Sequence, residues 1–164
     1  MVLFDTLFCG TCEALETMRA WGLISATVDA AVLVVAVLLI FGYSLDLPLW
    51  IAANISINLA LKYIIGEERP GPCGCGPGMP SVHAQLAAFL LVVYIYWELR
   101  RWRNHVCFIV WHFLLATVLV SLVFVSRGVL GYHTVIQIVV GAVIGFTLGI
   151  LYVIVHQSLR RRKK

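Results

Sequence analysis

Residues 105–125 read HVCFIVWHFLLATVLVSLVFV, 21 positions without one Asp, Glu, Lys or Arg. A helix needs about 17 to 25 mostly apolar residues to cross the ~30 Å hydrocarbon core of a bilayer, so this stretch is long enough to span it. Its Leu, Val and Ile residues do not alternate strictly with polar ones, which favours a membrane helix over a strand of a β-barrel.

The rest of the chain has the same character. Of its 164 residues, 62% are hydrophobic and 12% are charged, about half of the ~25% typical of soluble domains. So few polar residues cannot cover a globule of this size, which excludes an ordinary soluble enzyme. We expect one all-α domain over residues 1–164, a polytopic transmembrane bundle of about five helices after an N-terminal arm, 1–23. The other four predicted helices are 24–45, 48–65, 82–99 and 134–156.

Five crossings would place successive loops on opposite sides of the membrane, and the cations divide unequally between them. One side would carry eight Lys and Arg residues, namely Arg100, Arg101, Arg103 and the terminal run 160–164. The other side would carry four, namely Arg19, Lys62, Arg69 and Arg127. Because Lys and Arg in short loops favour the cytoplasm, we expect a cytosolic C-terminus and a lumenal or extracytoplasmic opposite face.

Four cysteines fall on the predicted lumenal side: Cys9, Cys12, Cys73 and Cys75. An oxidising compartment would allow disulfides among them, with three possible connectivities. Two zinc-binding pairs are the alternative, although Cys73-Gly74-Cys75 has one intervening residue where zinc pairs usually have two to four.

Polar residues gather in three clusters, each at the lumenal end of a predicted helix. They are KYIIGEERP at 62–70, GMPSVH at 78–83 and SRGVLGYH at 126–133, the last followed by Gln137. Charged residues next to a bilayer core are costly and commonly functional. Because all three clusters lie at the same end of their helices, the fold can bring them together at one membrane surface.

The residue types in these clusters suit phosphate chemistry. Lys62, Arg69 and Arg127 supply three cations, and the fork of an arginine matches phosphate oxygens. Ser81 and the backbone N–H groups at the start of the next helix, including that of Val82, add donors at a positive helix end.

Two histidines complete the set. His83 and His133 can divide the roles of nucleophile and acid. The clusters hold no carboxylate cage for a metal ion, so the pattern indicates phosphoryl transfer without a metal or another cofactor. Glu67 and Glu68 are expected only to shape the loop mouth or to balance nearby cations. Asn54 and Asn58 share a helix face with Lys62 and are expected to be donors of interhelical hydrogen bonds.

The spacings Lys62-x6-Arg69-Pro70, Pro80-Ser81-x-His83 and Ser126-Arg127-x5-His133 resemble the three signatures of the type 2 phosphatidic acid phosphatase superfamily. The resemblance covers roughly residues 50–145. Within the superfamily, the chain is most similar to the dolichyl-diphosphatases of the endoplasmic reticulum. Those enzymes typically carry Gln, as at Gln137, where relatives have Asp. Val82 departs from the pattern, since the superfamily has Gly there and the subfamily often Ser.

The resemblance implies hydrolysis of dolichyl diphosphate to dolichyl phosphate and phosphate through a phosphohistidine. His133 would attack the terminal phosphorus, His83 would protonate the leaving group, and Gln137 would accept the Nδ1–H of His133. The phosphoryl oxygens would be held by Lys62, Arg69, Ser81, Val82 and Arg127. The implied partner is a polyprenyl diphosphate lipid in the bilayer of the endoplasmic reticulum, and no nucleic acid; the oligomeric state stays open.

Other functions remain as alternatives. A related lipid phosphatase would act on undecaprenyl diphosphate or phosphatidate. A catalytically silent scaffold would bind anionic lipids without turnover. A transporter fits less well, because the polar clusters lie at one membrane face and not at midplane in two symmetric halves.

Overall fold

The computed structural model describes residues 46–70 and 76–162, together with the single positions 26 and 30. These residues form four α-helices: α1 (Leu47–Ile65), α2 (Val82–Arg101), α3 (Val106–Val129) and α4 (Val135–Arg162). All four are long and apolar enough to cross a membrane. The described part of the chain has no strand, only an isolated β-bridge between Glu68 and Pro77.

The expected all-helical membrane bundle is confirmed, with four of its predicted helices. The remaining one, 24–45, lies outside the described residues except for Ala26 and Ala30, both of which are helical. The N-terminal arm 1–23 and the four cysteines predicted to face the lumen also lie outside the described residues.

Local sequence explains where α1 begins and ends. Pro48 lies in its first turn, where the missing N–H of proline leaves no hydrogen bond unmade. The helix ends at Gly66, which has a φ of 64° and whose N–H donates to the carbonyl of Lys62. A residue with a side chain would be strained in this left-handed conformation, so glycine stops the helix here.

The other helices end two to six residues later than the sequence predicted, at Arg101, Val129 and Arg162. The prediction followed the apolar run alone, whereas the backbone continues as long as no proline or terminating glycine intervenes. Cations in the last turn of α2 and α4 also stabilise the partial negative charge at the C-terminal ends of these helices. The 28 residues of α4 extend about 42 Å, more than a bilayer core requires.

Among the four described helices, α2 and α4 form the most extensive pair, and a row of glycines allows their close contact. Gly141, Gly145 and Gly149 follow at steps of four residues, so they share one face of α4. A Cβ atom on Gly145 would lie 2.0 Å from the carbonyl oxygen of Gln85. The two helix backbones are therefore in close contact, as in other membrane-helix interfaces that are built on small residues.

Buried amides join α1 to α2, and of the two asparagines predicted as donors, Asn58 donates whereas Asn54 accepts. Asn58 Nδ2 donates to Gln85 Oε1 over 2.7 Å, and Gln85 Nε2 donates to Asn54 Oδ1 over 2.9 Å. All three side chains are buried. These bonds fix the rotation of α1, and with it the face on which Lys62 lies.

The three polar clusters meet at one end of the bundle, here called the site end, made of residues 62–70, 76–83 and 126–137. Lys62 Nζ donates to the carbonyl of Pro77 over 3.2 Å, and the N–H of Ser81 donates to the carbonyl of Gln137 over 3.1 Å. The opposite end carries a separate contact, between His156 Nδ1 and Asp46 Oδ2 at 3.3 Å.

Candidate functional site

His133 lies in the short connection between α3 and α4 and is 5% exposed. Its backbone N–H donates to the carbonyl of Arg127 over 3.3 Å. Its ring nitrogen Nδ1 lies 3.1 Å from Oε1 of Gln137. An amide oxygen only accepts, so this contact requires the proton on Nδ1 of the neutral imidazole and leaves the lone pair on Nε2.

Gln137 is held by a capping box at the start of α4. The N–H of Gln137 donates to Thr134 Oγ1 over 3.2 Å, and Gln137 Oε1 accepts the N–H of Thr134 over 3.3 Å. Thr134-Val135-Ile136-Gln137 has the spacing of this motif, in which two otherwise unpaired donors of a helix start are satisfied reciprocally. The carbonyl end of the amide is thereby directed toward Thr134 and His133.

The nitrogen end of the same amide points toward the loop after α1. Gln137 Nε2 donates to Glu67 Oε1 over 2.8 Å and to the carbonyl oxygen of Glu68 over 2.9 Å. Both partners only accept, while the N–H of Thr134 only donates. The chemistry of its neighbours therefore determines which way the amide faces, and Gln137 is fully buried.

Gly78 provides the room for this arrangement. A Cβ atom at position 78 would lie 2.8 Å from Oε1 and 2.9 Å from Nε2 of Gln137. The N–H of Gly78 donates to the carbonyl of Glu67 over 2.6 Å. The loop backbone is thus pressed onto the amide of Gln137, an approach that only glycine allows.

Three cations surround His133 and act on its charge. Burial first, and then the positive charges of Arg69, Lys62 and Arg127, together lower the pKa of His133 from 6.5 to about 4, while the hydrogen bond to Gln137 acts in the opposite direction. His133 is therefore neutral at pH 7. A neutral imidazole with its free lone pair on Nε2 is the form that can act as a nucleophile.

The arginines are held differently. Arg127 is 2% exposed, and its guanidinium lies over the ring of Tyr132, 5.9 Å from the centroid. Nε of Arg69 is buried, with no hydrogen-bond partner among the described residues. A buried cationic donor of this kind is suited to an anion.

The start of α2 lies at the same end. Ser81 is its N-cap, with Oγ 3.5 Å from the N–H of Ala84, and is fully buried. Val82 is helical, so it avoids the positive φ that a β-branched residue disfavours, and the half-buried His83 lies beside it in the first turn. The structure thus places every predicted site residue at the site end: Lys62, Arg69, Ser81, Val82, His83, Arg127, His133 and Gln137. Their chemical roles remain predictions.

Sequence reasoning missed three neighbours of Gln137. Thr134 has a visible signal, the Thr-x-x-Gln spacing. Glu67 was expected to be only a loop residue, and its bond to Gln137 spans 69 intervening positions, which no local pattern reveals. Gly78 was noted only as part of a motif. Among residues 46–70 and 76–162, no group of three or more His, Cys, Asp or Glu side chains is arranged to hold a metal ion.

Comparison with known proteins agrees with this geometry. Residues 30–161 match the model of the PAP2 superfamily. Over 121 residues, the chain is 31% identical to dolichyldiphosphatase 1 of Mus musculus, covering 66% of this chain and 51% of that protein. Over 110 residues, it is 34% identical to the chloroplastic lipid phosphate phosphatase epsilon 2 of Arabidopsis thaliana, covering 65% of this chain and 37% of that protein.

A third relative is a palmitoyl-protein thioesterase–dolichyl pyrophosphate phosphatase fusion of Schizosaccharomyces pombe, 33% identical over 112 residues, 65% of this chain and 18% of that protein. The matched stretch thus spans about half the length of these relatives or less. The fold is similar to the crystal structure of a PAP2-type phosphatidylglycerolphosphate phosphatase from Bacillus subtilis, with a TM-score of 0.64, 20% identity, and coverage of 99% of this chain and 84% of that one. With the family model matched over most of its length, the chain belongs to the PAP2 superfamily.

Proposed function

We propose that the chain hydrolyses a polyprenyl diphosphate, dolichyl diphosphate, to dolichyl phosphate and inorganic phosphate. The observation that carries the proposal is the neutral His133, whose Nδ1 faces Gln137 Oε1 while three cations act on its ring. This arrangement combines a nucleophile with positive charge for phosphoryl oxygens, which are the two requirements of phosphoryl transfer through a covalent intermediate.

In the proposed first step, Nε2 of His133 attacks the terminal phosphorus. The bond from that phosphorus to the bridging oxygen breaks, and His83 gives a proton to the oxygen of the departing dolichyl phosphate. In the second step, His83 takes a proton from water, the oxygen attacks the phosphohistidine, and the N–P bond breaks to release phosphate. Each histidine then returns to its starting state.

The remaining site residues would stabilise charge. Lys62, Arg69 and Arg127 would hold the phosphoryl oxygens together with Ser81 and the N–H of Val82. The three equatorial oxygens of the transferred phosphoryl group gain negative charge in the transition state. Fixed cations therefore stabilise the transition state more than the ground state. The residues proposed for these steps require no metal ion or other cofactor.

The lipid character of the substrate is supported by the four membrane helices and by the position of the site at one end of the bundle. The polyprenyl tail would stay in the bilayer while the diphosphate enters the site. The dolichyl group is favoured by Gln137 and by the relatives named dolichyldiphosphatase 1. The proposed location is the endoplasmic reticulum membrane, with the site in the lumen and the basic C-terminus in the cytosol.

A second substrate class has a specific observation in its favour. The similarity to lipid phosphate phosphatase epsilon 2 is as high as that to the dolichyldiphosphatases, at 34% identity. A lipid phosphate without the polyprenyl tail, such as phosphatidate, is therefore the alternative substrate.

The test is phosphate release by the purified full chain in detergent, with EDTA present and equal concentrations of dolichyl diphosphate, undecaprenyl diphosphate and phosphatidate. Wild-type protein should prefer the first, and His133→Ala should abolish release. The matched control is His105→Ala, since His105 is exposed and lies beyond the far end of α2. Equal turnover of all substrates would reject the dolichyl assignment, and no turnover by folded wild-type protein would reject the enzyme.

A further inference from the structure

Gln137 is neutral, so it cannot support a positive charge on His133 as a carboxylate would. The structure nevertheless brings a carboxylate to this amide from another part of the chain. Glu67 Oε1 accepts a hydrogen from Gln137 Nε2 at 2.8 Å, and Gln137 Oε1 lies 3.1 Å from His133 Nδ1. A continuous row of three side chains, Glu67, Gln137 and His133, thus ends on the ring proposed as nucleophile.

The two ends of the Gln137 amide are held unequally. On the oxygen side, the contacts to His133 and to the N–H of Thr134 measure 3.1 and 3.3 Å. On the nitrogen side, the bonds to Glu67 and to the carbonyl of Glu68 measure 2.8 and 2.9 Å. The shortest of the four involves an ionised acceptor, and charge-assisted hydrogen bonds are the stronger kind.

We propose that Glu67 is a positioning residue, whose carboxylate holds the amide of Gln137 so that the carbonyl faces Nδ1 of His133. This inference rests on the proposed function, since it concerns how the nucleophile is prepared. By drawing on the N–H of Gln137, the carboxylate polarises the amide and makes its oxygen a better acceptor. His133 is thereby kept in the tautomer that has its lone pair on Nε2.

The same bond fixes the loop after α1. Glu67 lies two residues before Arg69, and the N–H of Gly78 donates to the carbonyl of Glu67 at 2.6 Å. A Cβ atom on Gly78 would lie 3.0 Å from Cγ of Arg69 and 2.8 Å from the amide oxygen of Gln137. The contact between Glu67 and Gln137 therefore keeps the loop segment that carries Arg69 against the start of α4.

Adjacent in sequence, Glu68 offers a matched control. Only its backbone carbonyl accepts from Gln137, so its carboxylate plays no part in the row. Replacing the side chain of Glu68 removes the same charge from the same loop and leaves the hydrogen bonds to Gln137 in place. A difference between variants at 67 and 68 therefore isolates the bond to Gln137 from the loss of a loop charge.

The kinetic test compares Glu67→Ala, Glu67→Gln and Glu68→Ala in the full chain, with phosphate release from dolichyl diphosphate as the readout. Glu67→Ala should lower kcat by about 10- to 100-fold, as loss of an orienting partner commonly does, with KM nearly unchanged. Glu67→Gln keeps an acceptor for Gln137 and should recover most of kcat, while Glu68→Ala should match wild type. Equal losses at 67 and 68, or a wild-type kcat in Glu67→Ala, would overturn the proposal.

A double-mutant cycle tests whether Glu67 acts through Gln137. If it does, Glu67→Ala should cause less than about a twofold further loss in a Gln137→Leu background, because the two residues form one unit. Losses that multiply would show that Glu67 acts independently and would overturn this assignment.

A measurement without turnover separates this proposal from the proposed function. The ¹⁵N shifts of labelled histidine report which ring nitrogen carries the proton, and the His133 signals are identified by their absence in His133→Gln. Wild-type protein at pH 7 should show the Nδ1–H form, and Glu67→Ala should show the Nε2–H form in addition. An unchanged tautomer in Glu67→Ala would overturn the positioning role, whether or not the chain releases phosphate.

Discussion

Oε1 of Gln137 lies 3.1 Å from Nδ1 of His133, one helical turn earlier in the chain. The amide oxygen is a neutral acceptor, so it selects the tautomer of His133 without holding a proton on Nε2. With three cations acting on the ring, a neutral partner leaves burial and positive charge to decide the ionisation of His133. The proposed nucleophile is therefore neutral over a wide range of pH.

The acid limb of activity follows from this ionisation. Because the pKa of His133 is lowered from 6.5 to about 4, its neutral form persists in the folded protein down to about pH 4. We expect kcat/KM to fall only as the pH approaches that value, since this ratio reports ionisations of the free enzyme. In Arg69→Gln, one cation is removed, and the limb should move to higher pH.

The same shift affects stability in a defined direction. Between about pH 6.5 and 4, the unfolded chain binds the proton of His133 and the folded chain does not, so acidification through this window destabilises the fold.

The acid limb of activity is measured by profiles of kcat/KM from pH 3.5 to 8 for wild type and Arg69→Gln. A wild-type limb near pH 6.5 that follows His133 would contradict the expectation.

Gln137→Glu tests the effect of a charge at constant shape. A carboxylate in the place of the amide should raise the pKa of His133 and move the acid limb of kcat/KM upward by roughly one to two pH units. It also loses the donor to Glu67 and Glu68, which should cost about 1–3 kcal/mol of unfolding free energy. Gln157→Glu makes the same change near the other end of α4 and should leave the limb in place. If the acid limb does not move in Gln137→Glu, the residue at position 137 does not influence the pKa of His133.

Gly78→Ala tests the close approach of the loop to Gln137. The added methyl group would lie 2.8 Å from the amide oxygen and must displace either that side chain or the loop. We expect kcat to fall by about 10-fold or more, as when supporting contacts are lost, while the fold persists. Gly128→Ala is the control, because its methyl group would meet only Ile138 Cδ1 at 3.8 Å. Full activity in Gly78→Ala would show that the approach is not needed.

Gly145→Ala tests the packing of α2 against α4. Its methyl group would lie 2.0 Å from the carbonyl oxygen of Gln85, a backbone atom that cannot turn aside. The helices must move apart, and we expect about 1–3 kcal/mol of destabilisation, seen as a lower Tm in detergent. Gly128→Ala again serves as the comparison and should retain the wild-type Tm or exceed it, since Gly is a poor helix former. Equal melting of both variants would contradict the close contact.

How much the sequence revealed depended on how local the information was. The apolar run 105–125 contains its own evidence for a membrane helix, because hydrophobic length is a property of consecutive residues. The end of α4 at Arg162 was not visible in the same way, since helical hydrogen bonds continue past the apolar run. The motif residues around His133 were found because the spacing between them can be read directly from the sequence.

The contacts of Gln137 show the other case. Its bond to His133 could be predicted, because residues four apart share a helix face. Its bond to Glu67 could not, because it requires the loop after α1 to reach the start of α4, and many packings of the same helices would keep them apart.

The sequence by itself determined that the chain is a helical membrane protein and which polar residues stand at the ends of its helices. Hydrophobic length and motif spacing are properties of consecutive residues, so both can be recognised without knowing how the helices pack. Only the tertiary structure decided that Glu67 meets Gln137, that Gly78 lies against this amide, and that burial among three cations keeps His133 neutral. These properties depend on distances between parts of the chain that are far apart in sequence, and only the packing of the loop after α1 against the start of α4 sets those distances.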